Sequence, residues 1–283
     1  MNPEAPLCRY GTILVHVDAD IETSSRLKAA FCLGARFGAR VIGLGAVAWD
    51  SDADFVAPVL AGETLERLRQ DVDDDLAVAE AAFRTAAKGY AFPTIWRTDT
   101  DYPKSAMARQ SCAADLIVAS PGRGLHDRRR FPSTVDLVME SGVPVIVVPP
   151  GEEPLQPRTV VVGWKNTRET RRAVSDALPL LQIAERVHIV QICDDRDHGA
   201  ALCEMDDVVR RLARHGVVAE PATWPPLALG PSVAEDLMCW AQSHVADTMV
   251  VGAYGHSRAK QWVFGGVTTE LLANVPRRIL FSR

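Results

Sequence analysis

The stretch Asp247–Leu272 reads DTMVVGAYGHSRAKQWVFGGVTTELL. An apolar β-rich run, DTMVVG, ends on Gly252. Gly255 follows after two residues, and nine more, His256 to Phe264, lead to Gly265. Gly266, Val267 and Thr268 then open a pattern that reads as helix. A strand is thus followed by a glycine-bearing loop and by a glycine pair at a helix start. Glycines let main chain reach positive φ and approach a ligand closely. Free N–H groups at the positive end of a helix dipole suit phosphate. Scattered glycines alone equally mark simple turns.

The same stretch has a counterpart 132 residues earlier, where Asp115, Val118 and Val135 stand opposite Asp247, Val250 and Val267. Val143-Pro144 likewise stands opposite Val275-Pro276. Toward the start of each half the offset is 147, pairing Thr12 with Thr159, Val15 with Val162, Ala30 with Ala177 and Leu33 with Leu180. The chain is one fold written twice, with about fifteen extra residues in the first copy between positions 50 and 95. Each copy alternates strand and helix, from TILVHVD (12–18) and TVVVGW (159–164) to VPVIVVP (143–149) and RRILFS (277–282). The long apolar stripe Leu65, Leu68, Val72, Leu76, Ala79, Phe83, Ala86 reads as an amphipathic helix. The acidic run Asp71 and Asp73–Asp75 on it reads as a solvated face.

Helical crossovers of this length imply right-handed βαβ units. The predicted class is α/β, with two tandem doubly wound, five-stranded parallel sheets. The Pro/Glu-rich segment PPGEEPLQP (149–157) reads as a linker between domains at 1–151 and 157–283. In such sheets ligands bind beyond the C-terminal strand ends, where strand order reverses.

Composition narrows the function classes. Lys+Arg is 31 and Asp+Glu is 36 in 283 residues, a net charge of −5, which disfavours a nucleic-acid or anionic-membrane grip. No apolar run approaches the ~18 residues of a membrane span, and no signal core stands at the N-terminus, so a cytoplasmic protein is expected. Cys8, Cys32, Cys112, Cys193, Cys203 and Cys239 form no C-x-x-C pair and read as reduced thiols. No triad or zinc spacing involves any of the seven histidines. A Walker A loop and a G-x-G-x-x-G fingerprint after the first strand are both absent.

The segment Gly252…Gly255…Gly265, taken with the duplication, resembles the universal stress protein family in its tandem form. The resemblance covers essentially the whole chain, once per half. It implies ATP-binding α/β domains with strand order 3-2-1-4-5 and the loops after strands one and four converging. The implied pose puts adenine near Gly163, Trp164, Lys165 and Ile192. Phosphates would lie along Gly252, Gly255 and His256 and at the helix start Gly265, Gly266, Val267 and Thr268. The implied cofactor is ATP, with or without Mg2+; no catalytic residue and no metal ligand is assigned, and an enzyme is not expected beyond a slow ATP hydrolase.

Two departures stand out. The family's acid after strand one is Lys165 here, which attracts phosphate, fills the crevice or is merely solvated. The family's Ser/Thr after the last glycine is Gly266, which removes one hydroxyl donor, on the order of 1 kcal/mol. Trp164 stacks on adenine or belongs to a core. In the first copy Asp18 keeps the acid, but Ser120, Arg123, Ser133 and Thr134 replace the glycines, so at most one intact site is expected. Arg123 and Arg128–Arg130 read as a solvated loop sooner than as an anion site. The resemblance implies a stress-response regulator that switches on nucleotide binding, with pairing of the last strands and self-association of the chain. The competing reading is a non-binding interaction module of the same fold.

Overall fold

The computed structural model describes residues 7–283 except 21, 49–61, 122–129, 152–154, 229, 254–265 and 274. The chain forms two compact units, Tyr10–Leu155 and Gln156–Arg283, with residues 7–9 belonging to the latter.

The first unit runs β1 (Thr12–His16), α1 (Thr23–Phe37), β2 (Arg40–Ala46), α2 (Gly62–Ala86), β3 (Thr94–Asp99), α3 (Pro103–Gln110), β4 (Leu116–Ala119), α4 (Thr134–Glu140) and β5 (Val145–Val147). Its strands pair in parallel in the order 3-2-1-4-5. The second unit runs β6 (Thr159–Gly163), α5 (Arg168–Asp176), α6 (Leu178–Ile183), β7 (Arg186–Ile192), α7 (His198–Ala213), β8 (Ala219–Trp224), α8 (Val233–Ser243), β9 (Thr248–Gly252), α9 (Gly266–Ala273) and β10 (Arg278–Ser282). Its order, β8-β7-β6-β9-β10, repeats that of the first unit, again all parallel. The expected α/β class and strand order are therefore both present.

The central strands are apolar on both faces, as helix-covered parallel sheets require: Ile13–Val15, Val160–Val162 and Met249–Val251 are all buried. One latch recurs in both copies. Asp115 Oδ2 accepts from the N–H groups of Gly11 and Thr12, and Asp247 Oδ2 accepts from those of Arg158 and Thr159, all within 2.8–3.1 Å. Each carboxylate stands just before the fourth strand of its unit and caps the start of the first. The duplication thus repeats a hydrogen-bonding device as well as a pattern of apolar residues.

Three sequence expectations are corrected. The helix expected over Arg168–Ile183 breaks at Ala177, which ends α5 and begins α6. Pro179 has no N–H with which to carry the ladder across that point. The helix expected near Met205–His215 begins a further two turns earlier, at His198. Of the acidic run on α2, Asp71, Asp73 and Asp74 are exposed, but Asp75 turns inward and meets Arg130 at 2.9 Å. The helix α2 has 25 residues against 16 in its counterpart α7, so it carries much of the first copy's added length.

Candidate functional site

The strand order of the second unit reverses at β6, whose neighbours are β7 and β9. Gly163 at its C-terminal end is in register with Val190 of β7 and Val251 of β9. The Trp164 N–H donates to Val190 O at 2.7 Å, extending the ladder by one residue before the chain turns into α5. Thr167 caps α5, its hydroxyl accepting from the Thr170 N–H. On the far side, α9 begins at Gly266.

These ends enclose a cavity of about 370 Å³, within the range of small-ligand sites. Eight of the sequence-predicted residues line it: Gly163, Trp164, Lys165, Ile192, Gly252, Gly266, Val267 and Thr268. Gly255, His256 and Gly265 lie outside the described residues. Sequence reasoning missed Thr167, Thr170 and Gln191, as well as the apolar wall of Val233, Leu237 and Val251. Thr167 was legible as the Ser/Thr cap of a helix following a strand, a signal available in the sequence.

The cavity joins two kinds of surface. Val233, Leu237, Val251, Ile192 and Val267 are apolar, and Val233 and Val267 are among the large hydrophobics left exposed. The starts of α5 and α9 bring the positive ends of two helix dipoles, and Lys165, an exposed residue, adds a cation to the lining. Trp164 is only 6% exposed, and its Nε1 is buried without a hydrogen-bond partner; the Gln191 Oε1 is in the same condition. Nearby, burial pushes the Glu169 carboxyl up, but hydrogen bonds from its own main chain and Thr167 and the charge of Arg168 outweigh it, holding the group below its ordinary range. The described lining holds no carboxylate. Among the described residues no three His, Cys, Asp or Glu side chains gather as a metal site.

The glycines divide by role, and here one expectation changes. A Cβ on Gly252 would stand 2.5 Å from Thr170 N and 2.6 Å from Glu169 C. Gly252 is therefore required by the main chain of α5, which packs onto the end of β9; ligand approach is not what demands it. A Cβ on Gly266 would meet nothing within 4 Å.

At the matching place in the first unit, side chains fill the space. Arg26 of α1, 3% exposed, donates to Asp18 Oδ2, Ser120 Oγ and Thr23 Oγ1 at 2.6 Å each and to His16 O at 3.0 Å. Burial alone would raise the Asp18 carboxyl, yet the His16 hydrogen bond, the Arg26 charge and the Thr23 hydroxyl hold it far below the usual carboxylate range. What remains around His16, Arg26 and Ser120 is about 20 Å³, room for one water. A separate cavity of about 330 Å³ lies beyond β1 and β2, lined by Asp18, Asp20 and Asp75 with Arg130 paired to Asp75. Its carboxylates oppose a phosphate. Arg123, Arg128 and Arg129 lie outside the described residues.

Solved structures share this architecture. A universal stress protein from Archaeoglobus fulgidus DSM 4304 superposes with a TM-score of 0.72 over 96% of each chain, at 13% identity. The fold is that of universal stress proteins. A putative universal stress protein from Pseudomonas aeruginosa UCBPP-PA14 aligns over 96% of this chain and 93% of its own, with a TM-score of 0.59 and 16% identity. A functionally unknown protein from Pseudomonas aeruginosa PAO1 aligns over 96% and 92%, with a TM-score of 0.57 and 16% identity. No family model and no curated protein matches the sequence. The universal stress fold thus extends across both units of the chain, as the resemblance read from the glycine segment implied. Among the described residues no helix is long and apolar enough to cross a membrane.

Proposed function

We propose that the chain is a universal stress-type regulator that binds one adenine nucleotide, ATP, in the crevice of its second unit. The observation that carries this reading is that, whereas the cavity of about 330 Å³ beyond β1 and β2 is lined by Asp18, Asp20 and Asp75, the cavity of about 370 Å³ at the β6/β9 switch point has no carboxylate in its described lining. Its apolar wall suits a base. Its two helix starts, Lys165, Thr167, Thr170 and Thr268 suit a phosphate chain. With no carboxylate in the described lining, Mg2+ would be held by phosphate oxygens and water. Binding biases the conformation or partner choice of a cytoplasmic, self-associating chain.

The test is thermal unfolding of the full chain with and without nucleotide. ATP at about a hundredfold excess over its Kd adds about 2.7 kcal/mol of stability and raises Tm. An unchanged Tm at millimolar ATP contradicts the reading and favours the non-binding module. Phosphate release above that of Gly266→Val, a change at a lining residue whose Cβ meets nothing within 4 Å, would promote the hydrolase reading instead.

A further inference from the structure

The helices α8 and α9 each follow a strand of one parallel sheet, so both start at the C-terminal strand ends, and they pack side by side. A polar tie joins them there. The Ser232 hydroxyl accepts from the Glu235 N–H at 3.2 Å, capping α8, and donates to Glu270 Oε2 of α9 at 2.5 Å. One hydroxyl thus gives a lone pair to one helix and its proton to the other. The loop that presents Ser232 is itself anchored. Asp236, fully buried, accepts from the N–H groups of Leu227 at 2.5 Å and Gly230 at 2.9 Å.

The tie stands beside the cavity. Val233, next to Ser232, lines it, and so does Val267, one turn before Glu270 on the same side of α9. Gly266, Val267 and Thr268, through which α9 meets the cavity, all precede Glu270. The first copy fastens the matching helices differently: Lys104 of α3 reaches Asp136 at 3.6 Å and Glu140 at 2.8 Å on α4. By the 132 offset, Lys104 corresponds to Asp236, Asp136 to Thr268 and Glu140 to Leu272, and the buried Val138 corresponds to Glu270. The exchange frees position 268 to line the cavity and moves the fastening to position 270.

We propose that Glu270 is a positioning residue for phosphate: held by the Ser232 hydroxyl, it sets the first turn of α9 against the cavity. This rests on the nucleotide reading above and names what keeps that turn in place.

Calorimetric titration of the full chain with ATP and with inorganic tripolyphosphate, at about 0.15 M salt where exposed charges are screened, tests it through two matched pairs of variants. Glu270→Gln and Glu270→Leu both remove the charge, and only the first keeps an acceptor for the hydroxyl. Ser232→Asn and Ser232→Asp both keep a helix cap, and only the first keeps a donor for Glu270. Glu270→Leu binds both probes about fivefold more weakly than Glu270→Gln, the worth of one hydrogen bond. Ser232→Asp binds them about fivefold more weakly than Ser232→Asn, and that difference disappears when Glu270→Leu is added to each. Equal binding by Glu270→Leu and Glu270→Gln overturns the proposal. So does a deficit of Ser232→Asp that persists beside Glu270→Leu, which would be charge repulsion of phosphate. A Tm lowered in Glu270→Leu, with affinities matching those of Glu270→Gln, marks a structural contact only and also overturns it. Each pair decides alone should a member of the other fail to fold. Wild-type protein that binds neither probe contradicts the nucleotide reading itself.

Discussion

The two switch points of this chain have the same backbone and opposite contents. In the first unit Asp18, Arg26 and Ser120 converge. By the sequence offsets these correspond to Lys165, Ala173 and Gly252 in the second. An arginine has become an alanine, an acid a lysine, and a serine a glycine. Where Arg26 is present, its guanidinium needs both the carboxylate and the hydroxyl, and it fills the gap between β1 and β4. Where Ala173 stands, α5 settles against β9 so closely that only glycine fits at 252. Glycine is thus first a packing requirement. Arg26 closes only the gap between β1 and β4; beyond β1 and β2 the first unit keeps a cavity of about 330 Å³, which differs from that of the second unit in its carboxylates.

Breaking the first crevice should have the largest effect. Arg26→Ala leaves Asp18 buried without its cation, and such loss costs about 3–5 kcal/mol, measurable by urea unfolding. The double change Asp18→Asn with Arg26→Met, which removes both charges, should recover much of it; no recovery would mean that the pair's packing matters more than its charge. The pH dependence has a definite sign. The folded carboxyl of Asp18 is lowered below its unfolded value, so its stabilisation is complete above about pH 4 and is lost as pH falls through the folded-state value. Asp18→Asn should flatten the acid limb of the stability curve, and an unchanged limb would contradict the ion pair.

Next comes the packing glycine. Gly252→Ser, which writes the first copy's residue into the second, forces a Cβ against the main chain of Glu169 and Thr170. Such overpacking costs about 1–3 kcal/mol and should appear as a lowered Tm with or without nucleotide. A serine tolerated at no cost would show that α5 can retreat, and the contrast between the copies would weaken. Gly266→Ser is the opposite case. Its Cβ meets nothing within 4 Å, and a hydroxyl at the start of α9 should tighten ATP about fivefold, the worth of one added hydrogen bond of about 1 kcal/mol. The smallest effect belongs to Lys165→Ala. It should weaken ATP severalfold at low salt and less as ionic strength rises; equal or tighter binding would remove Lys165 from phosphate recognition.

Much of this was legible in the sequence because it lies in periodicity and spacing. Apolar strands, crossover helices and the recurrence of Asp115 as Asp247 are local or repeated signals. Eight cavity residues could be named from the glycine segment and the first-strand end. The rest depends on contacts distant in sequence. Arg26 reads as one more charge on an amphipathic helix until the fold brings it to Ser120, 94 residues away. Asp75 reads as part of a solvated run until α2 places it opposite Arg130. Gln191 lies beside the predicted Ile192, but only strand register sets it next to Trp164. The break at Ala177 was marked by Pro179, against a continuous apolar pattern.

The central claim is that one crevice of two receives a nucleotide. Isothermal titration of the full chain with ATP, run on the wild type and on Gly266→Val, tests it most directly. The account predicts one ATP per chain in the wild type and none in the variant at an unchanged melting temperature. Two ATP per chain, none, or one that survives Gly266→Val would contradict it.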